Sequence, residues 1–347
     1  KNVDGIINDN ILFINNTDKI NPSKILIIRK RTTTPVTSPM AISKLYELAE
    51  LKENDKINGP SNDELNELYF HLQELSGTEK DENSKPVICT AGLPTIASLW
   101  ITLISKYNGV DVLMASTAYG GSSQLADIMN SRAEKSLFRK HTFDIQGVET
   151  EIIESIKTKL DDLSNMKEKL NPITVLFVEV PTNPDMKVPN VNKLANLLDE
   201  YKEKITSNGE KRDVLLLVDT TFAPGSKVMD KIKNIAHEIP VMVFISLSKS
   251  VSRGITTAGC VVSNHTSFSI NLLKNVNDTA NMLDSIAKDD QLKRLSINHH
   301  NVEKRCDMAY KAALECGNHL KETVKKNCNG YDMPLAFPKS EEAEIGF

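Results

Sequence analysis

Cysteine is scarce and unpatterned in this sequence. The five cysteines, Cys89, Cys260, Cys306, Cys316 and Cys328, are odd in number, and no CxxC spacing occurs. A disulfide framework and a structural zinc site are therefore not expected, and a reducing, cytoplasmic compartment is. No apolar run reaches the ~18 residues of a membrane-spanning helix, so no membrane partner is expected. No basic stripe stands out and the net charge is -4, which argues against a nucleic-acid partner. Neither GxGxxG nor GxxxxGK[ST] is present, so the usual dinucleotide and nucleoside-triphosphate fingerprints are missing. The first residue is Lys1 and no n-region/h-region signal pattern follows it, so a trimmed start is expected.

What is present is ordinary globular composition, 40% hydrophobic and 25% charged, in 347 residues. That length exceeds one hydrophobic core and suggests one large and one small domain. Residues 1 to about 40 are Asn-rich, with apolar pulses at Ile11–Ile14 and Ile25–Ile28 that read as short strands or an extended arm. Thr32 to Pro39 reads as loop, and Ile42 to Leu51 has helical spacing. Gly59-Pro60 breaks the chain, after which Ser61 or Asn62 caps a helix over Glu64–Leu75.

From Pro86 onward, short apolar runs alternate with amphipathic stretches. The runs are Val87–Thr90, Val110–Ala115, Val175–Val180, Val214–Asp219, Val241–Ser246 and Gly259–Ser263. Helical patterns fall at Thr95–Ile104, Ser123–Met129, Val148–Leu160 and Val191–Ile205. Continuous Val/Ile/Leu runs are the mark of parallel strands buried on both faces, and the alternation predicts a doubly wound α/β layer. Beyond residue 265 the pattern is helical, with one long helix expected over His299–Val324. His299 and His300 read as a solvated pair rather than metal ligands, and no metal is expected.

In a doubly wound sheet, ligands bind beyond the carboxyl ends of the strands. The residues there are distinctive. Lys249 follows Ser246 and Ser248 at the end of the fifth run. Partial desolvation would free its amine for imine chemistry, and the two hydroxyls suit a phosphate. Asp219 ends the fourth run, where a buried carboxylate needs a cation. Asn183 sits in a turn between Pro181 and Pro184, which restrict the loop. Tyr119 precedes two glycines that permit a planar ring to approach. Gly92, Leu93 and Pro94 open a helix whose free N–H groups suit a phosphate. Each feature has a plain alternative: a surface lysine, a helix cap or metal ligand for Asp219, an Asn-Pro turn, a core tyrosine, an ordinary strand-helix turn. In this order, however, one cofactor accounts for all of them. Pyridoxal 5'-phosphate (PLP) has a phosphate, a flat ring, a ring oxygen, a ring nitrogen that Asp219 would keep protonated, and an aldehyde for Lys249.

The segments TAGLPTIAS, AYGGSSQL, EVPTNPDMKV, LVDTTFAPG and SLSKSVSRGITTAG, spread over residues 58–275, resemble the Cys/Met-metabolism family of PLP enzymes. That family includes cystathionine γ-synthase, cystathionine lyases, methionine γ-lyase and O-acetylhomoserine sulfhydrylase. The resemblance implies a fold-type I enzyme with a mostly parallel seven-stranded sheet and a smaller C-terminal domain, here incomplete. It divides the chain into an arm (1–60), a large PLP-binding domain (61–275) and a linking helix with the start of the small domain (276–347). It implies that Lys249 is the Schiff-base lysine and Asp219 the ring-nitrogen partner. Tyr119 stacks on the ring and assists proton transfer, and Thr221 lies on the opposite face. Gly92, Leu93, Ser246 and Ser248 hold the phosphate, and Asn183 lies near the ring hydroxyl.

The sequence also departs from the family pattern. Thr220 replaces the family's asparagine. The Y-x-R-x-x-N-P-T segment is not intact: Asn54–Ser61 falls at its place, with Lys56 at the arginine. Gly-His-x-Asp after the lysine is replaced by residues 253–259. The implied reaction is elimination or replacement at Cβ or Cγ of a sulfur-containing amino acid or homoserine ester, by a homodimer or homotetramer. The departures keep two other readings open: a degenerate paralogue with a structural or regulatory role, and another PLP activity such as an aminotransferase.

Overall fold

The computed structural model describes residues 5–8, 11–14, 38–50, 59–145, 149–166, 171–203, 212–232 and 239–335. The Ile25–Ile28 pulse, Lys56 and the chain end after 335 lie outside the described residues. Strands β1 (Gly5–Asn8) and β2 (Ile11–Ile14) form an antiparallel hairpin. Helix α1 covers Ser38–Leu48 and α2 covers Asn62–Ser76. Ser61 caps α2 as the sequence predicts. Its hydroxyl accepts the Glu64 N–H at 3.2 Å, and its own N–H donates to Glu64 Oε2 at 2.7 Å.

The body is a seven-stranded sheet of order β3-β9-β8-β7-β6-β4-β5. Its strands are β3 (Val87–Cys89), β4 (Val110–Ala115), β5 (Phe138–Phe143), β6 (Ile173–Glu179), β7 (Asp213–Asp219), β8 (Val241–Ile245) and β9 (Gly259–Ser263). The helices between them are α3 (Gly92–Tyr107), α4 (Gly120–Arg132), α5 (Glu149–Ser164), α6 (Val191–Glu203) and α7 (Val228–Ile232). The five strands from β5 to β8 run parallel. β6 and β7 lie near the middle and are buried along almost their whole length, so their unbroken apolar runs follow from two covered faces. Trp100 of α3 packs edge-on against Phe138 and Phe177, joining the helical layer to the sheet.

The sheet differs from the sequence expectation at both ends. β9 pairs antiparallel with β8, and β3 antiparallel with β9. An apolar run reports burial on both faces but not chain direction. At the other edge β5 (FRKHTF) has no apolar run and goes unrecognised in the sequence. Its Arg139 lies opposite Asp111 of β4 and donates to it at 2.8 Å, with both groups buried. The ion pair lets a charged residue sit within the sheet.

The C-terminal part is helical, as expected. Helices α8 (Ser267–Met282) and α9 (Asp289–Asn298) precede α10 (Val302–Asn327), which is the long helix expected from His299, shifted by three residues at each end. Asn301, at φ 55°, adopts the left-handed conformation and turns the chain between α9 and α10. His299 at this corner is 1% exposed, so the expectation of a solvated pair fails for it. The expected domain boundary at 275 falls inside α8, which packs on α3. Among the described residues no helix is long and apolar enough to cross a membrane.

Candidate active site

β6, β7 and β8 are neighbours and parallel, so their carboxyl ends open on one side of the sheet. A cleft forms there, lined by Tyr119, Glu179, Pro181, Asn183, Asp219, Thr221, Phe222, Phe244, Ser246 and Lys249. Six residues singled out in the sequence are thus brought together: Tyr119, Asn183, Asp219, Thr221, Ser246 and Lys249. Tyr119 stands at the head of α4, and Lys249 Nζ lies 5.6 Å from the centre of its ring. A Cβ on Gly121 would stand 2.5 Å from that ring, so the glycine leaves the space the ring occupies.

Gly92 adjoins this cleft. A Cβ there would come within 3.0 Å of Phe244 and 3.3 Å of Ser246 Oγ. The bare backbone at the start of α3 and the Ser246 hydroxyl therefore form one cradle. α3 has no side-chain cap, and its N-cap is Ala91, so its first N–H groups remain available to an anion. Gly259 makes the approach possible from the other side. A Cβ on it would stand 2.5 Å from Gly92 Cα. Leu93 lies in the first turn of α3, and its side chain packs on the hydrophobic core. Thr221 Oγ1 accepts the Ser246 N–H at 2.9 Å, locking the turn that carries Ser246.

Two expected residues are placed differently from their sequence reading. Ser248 Oγ donates to the Ala258 carbonyl and accepts the Ala258 N–H, both at 3.0 Å. Its one proton is thus committed to the backbone, and Ser248 does not line the cleft. Lys249 lies in a turn past the end of β8 and is exposed, so burial within this chain does not desolvate its amine.

Sequence reasoning missed Glu179. It sits in the quoted EVPTNP segment, and the argument applied to Asp219, a carboxylate closing a buried strand, applies equally to it. Glu179 Oε1 accepts the Tyr119 N–H at 2.6 Å, and Oε2 accepts the Asn183 N–H at 3.0 Å. One carboxylate therefore clamps the loops bearing two candidate ligands. Glu179 lies in register with Asp219 on the adjacent strand. Burial, reinforced by the Asp219 charge, pushes its carboxyl up to about 7. Burial likewise pushes Asp219 up to about 6, against the Thr221 hydrogen bonds and the Lys249 charge.

These residues fit PLP. Two facing carboxylates, both raised by burial, call for a buried cation, and a protonated pyridine nitrogen is one. The amine, the aromatic face and the phosphate cradle border the same cleft.

The class I and II aminotransferase family model matches residues 32–288. No curated protein sequence matches the chain significantly. Among solved structures, the chain is similar to cystathionine gamma synthase from Xanthomonas oryzae pv. oryzae in complex with aminoacrylate and cysteine. Identity is 18% and the TM-score 0.54, over 79% of this chain and 57% of that one. The same enzyme in complex with cystathionine matches at 16% identity and TM-score 0.53, over 86% of this chain and 70% of that one. The chain thus spans little more than half the length of the first of these relatives. These two likenesses bear on the fold. The match over most of its length shows that the chain belongs to the class I and II aminotransferase family, as a divergent member with the fold-type I architecture and PLP as its cofactor.

Proposed function

We propose that this chain is a transsulfuration-type enzyme, acting at Cβ or Cγ of a sulfur-containing amino acid or a homoserine ester. The observation that carries this reading is the convergence of Lys249 and Asp219 on one cleft beneath the Tyr119 ring. The solved relatives named above extend it to the substrate class. Bound PLP supplies an electron sink for charge developing at the substrate α-carbon. Lys249 would hold the cofactor through its aldehyde carbon, and its amine is the group placed to move the α-proton. Asp219 holds the ring-nitrogen proton. Tyr119 would stack on the ring, and Thr221 braces the turn that carries Ser246. Ser246 and the N–H groups of Gly92 and Leu93 would hold the phosphate, and Asn183 would serve the ring hydroxyl. Glu179 positions Tyr119 and Asn183 through their backbones.

The cofactor domain in this reading begins at residue 61, and α8 belongs with it because it packs on α3. The working form is a homodimer or homotetramer in the cytoplasm. The test is a visible spectrum of purified protein with added PLP, followed by a keto-acid assay on cystathionine, methionine, cysteine and O-acetylhomoserine. We expect a band for lysine-linked cofactor that is lost in Lys249→Ala, and keto acid from at least one substrate. Failure to develop the band would overturn the assignment of Lys249. A normal band without turnover would favour a regulatory paralogue.

A further inference from the structure

Away from the PLP cleft, a second cleft opens between α2 and the α9–α10 corner. α2 presents Glu67, His71 and Glu74 at i, i+4 and i+7, a spacing that puts them on one helix face. The corner presents His299 and His300. We propose that Glu67, His299 and His300 bind a divalent transition metal of the zinc class, oriented by His71 and Glu303.

The geometry supports three ligands. Ligand atoms of Glu67, His299 and His300 lie within 4.8 Å of one another. Two imidazoles and one carboxylate suit Zn²⁺ and its first-row neighbours, and leave a coordination position for water. Glu67 and His300 are exposed, so an ion has a path in, while His299 is buried.

The second line of support is the hydrogen-bond order. His299 Nδ1 lies 2.7 Å from His71 Nδ1, and His299 Nε2 is buried with no hydrogen-bond partner. One of the two Nδ1 atoms carries the shared proton. If His299 donates it, His299 Nε2 holds a lone pair. His71 Nδ1 then accepts, and the one proton of His71 sits on Nε2, which lies 3.5 Å from Glu303 Oε2. This order, carboxylate to imidazole to metal-binding imidazole, is the arrangement that fixes the tautomer of a ligating histidine. A metal on Nε2 would also satisfy an otherwise orphaned buried nitrogen.

The site would join α2 to the α9–α10 corner. Arg305 holds the same corner and donates to the carbonyls of Asn298 and His300. It also reaches the carbonyls of Ser250 and Val251, just beyond Lys249.

Co²⁺ titration of the PLP-loaded protein, followed by its d–d absorption and by Zn²⁺ competition, tests the proposal. We expect one equivalent to bind. His300→Gln and Glu67→Gln, both at exposed positions, should each weaken binding by more than about tenfold, and Glu303→Gln by about tenfold. His319→Gln, an exposed histidine elsewhere on α10, should change nothing. The PLP band should persist in all four variants. Absence of Co²⁺ binding overturns the proposal. So does binding that His300→Gln and Glu67→Gln leave intact.

Discussion

Replacing Asp219 by asparagine removes one of two facing carboxylates but keeps an oxygen for the Thr221 N–H, which Asp219 Oδ1 accepts at 2.9 Å. Burial lifts Asp219 from 3.8 to about 6. Two units at about 1.4 kcal/mol each put the cost of ionising it in the folded, cofactor-free chain near 3 kcal/mol. The folded carboxyl keeps its proton to higher pH than the unfolded one, so stability falls as pH rises from about 4 to about 6 and stays low above that. PLP-free Asp219→Asn should therefore be more stable than the parent by about 2–3 kcal/mol at about pH 8. The difference should shrink through pH 6 and close near pH 4. With PLP bound the sign reverses, because the ring-nitrogen proton loses its counter-charge. PLP affinity should fall on the order of 100-fold, the equivalent of about 3 kcal/mol for a broken buried pair. Urea unfolding of both PLP-free proteins at the three pH values, with PLP titrations beside them, supplies the measurements. A variant no more stable than the parent at pH 8, or a difference unchanged at pH 4, would refute the electrostatic account of the cleft.

Gly259→Ala should cost about 1–3 kcal/mol or more and weaken PLP binding, since its Cβ meets the Gly92 backbone at 2.5 Å rather than a side chain that can swing away. Denaturant unfolding and a PLP titration check both effects. Gly120→Ala and Gly121→Ala should separate cleanly. The first meets nothing within 4 Å and should be neutral or stabilising by about 0.5–1 kcal/mol, while the second displaces the Tyr119 ring and should shift the visible PLP band. Ser61→Ala removes the hydroxyl of the α2 capping box and should cost about 1 kcal/mol in thermal or chemical unfolding, without altering the PLP spectrum.

The sequence alone determined the fold class and picked out most of the residues that line the candidate cleft. Strands buried on both faces must be continuously apolar, so β4, β6, β7 and β8 are visible as runs. In a parallel sheet the residues that close those runs are forced to one side, so Asp219, Asn183 and Lys249 could be assigned to one cleft before any coordinates. Helix starts were visible wherever a local device marks them, as Ser61 and Glu64 do for α2. Only the tertiary structure decided what depends on partners distant in the chain. The direction of β3 and β9 is set by strand pairing that apolar patterning does not encode. β5 is hidden because its arginine is neutralised by Asp111, 28 positions away. Gly259 became informative only once Gly92 lay against it, and Ser248 only once Ala258 took its hydroxyl. The contact between His71 and His299 joins positions 228 apart, so His299, which reads with His300 as a solvated helix face in the sequence, is buried in the fold while His300 stays exposed.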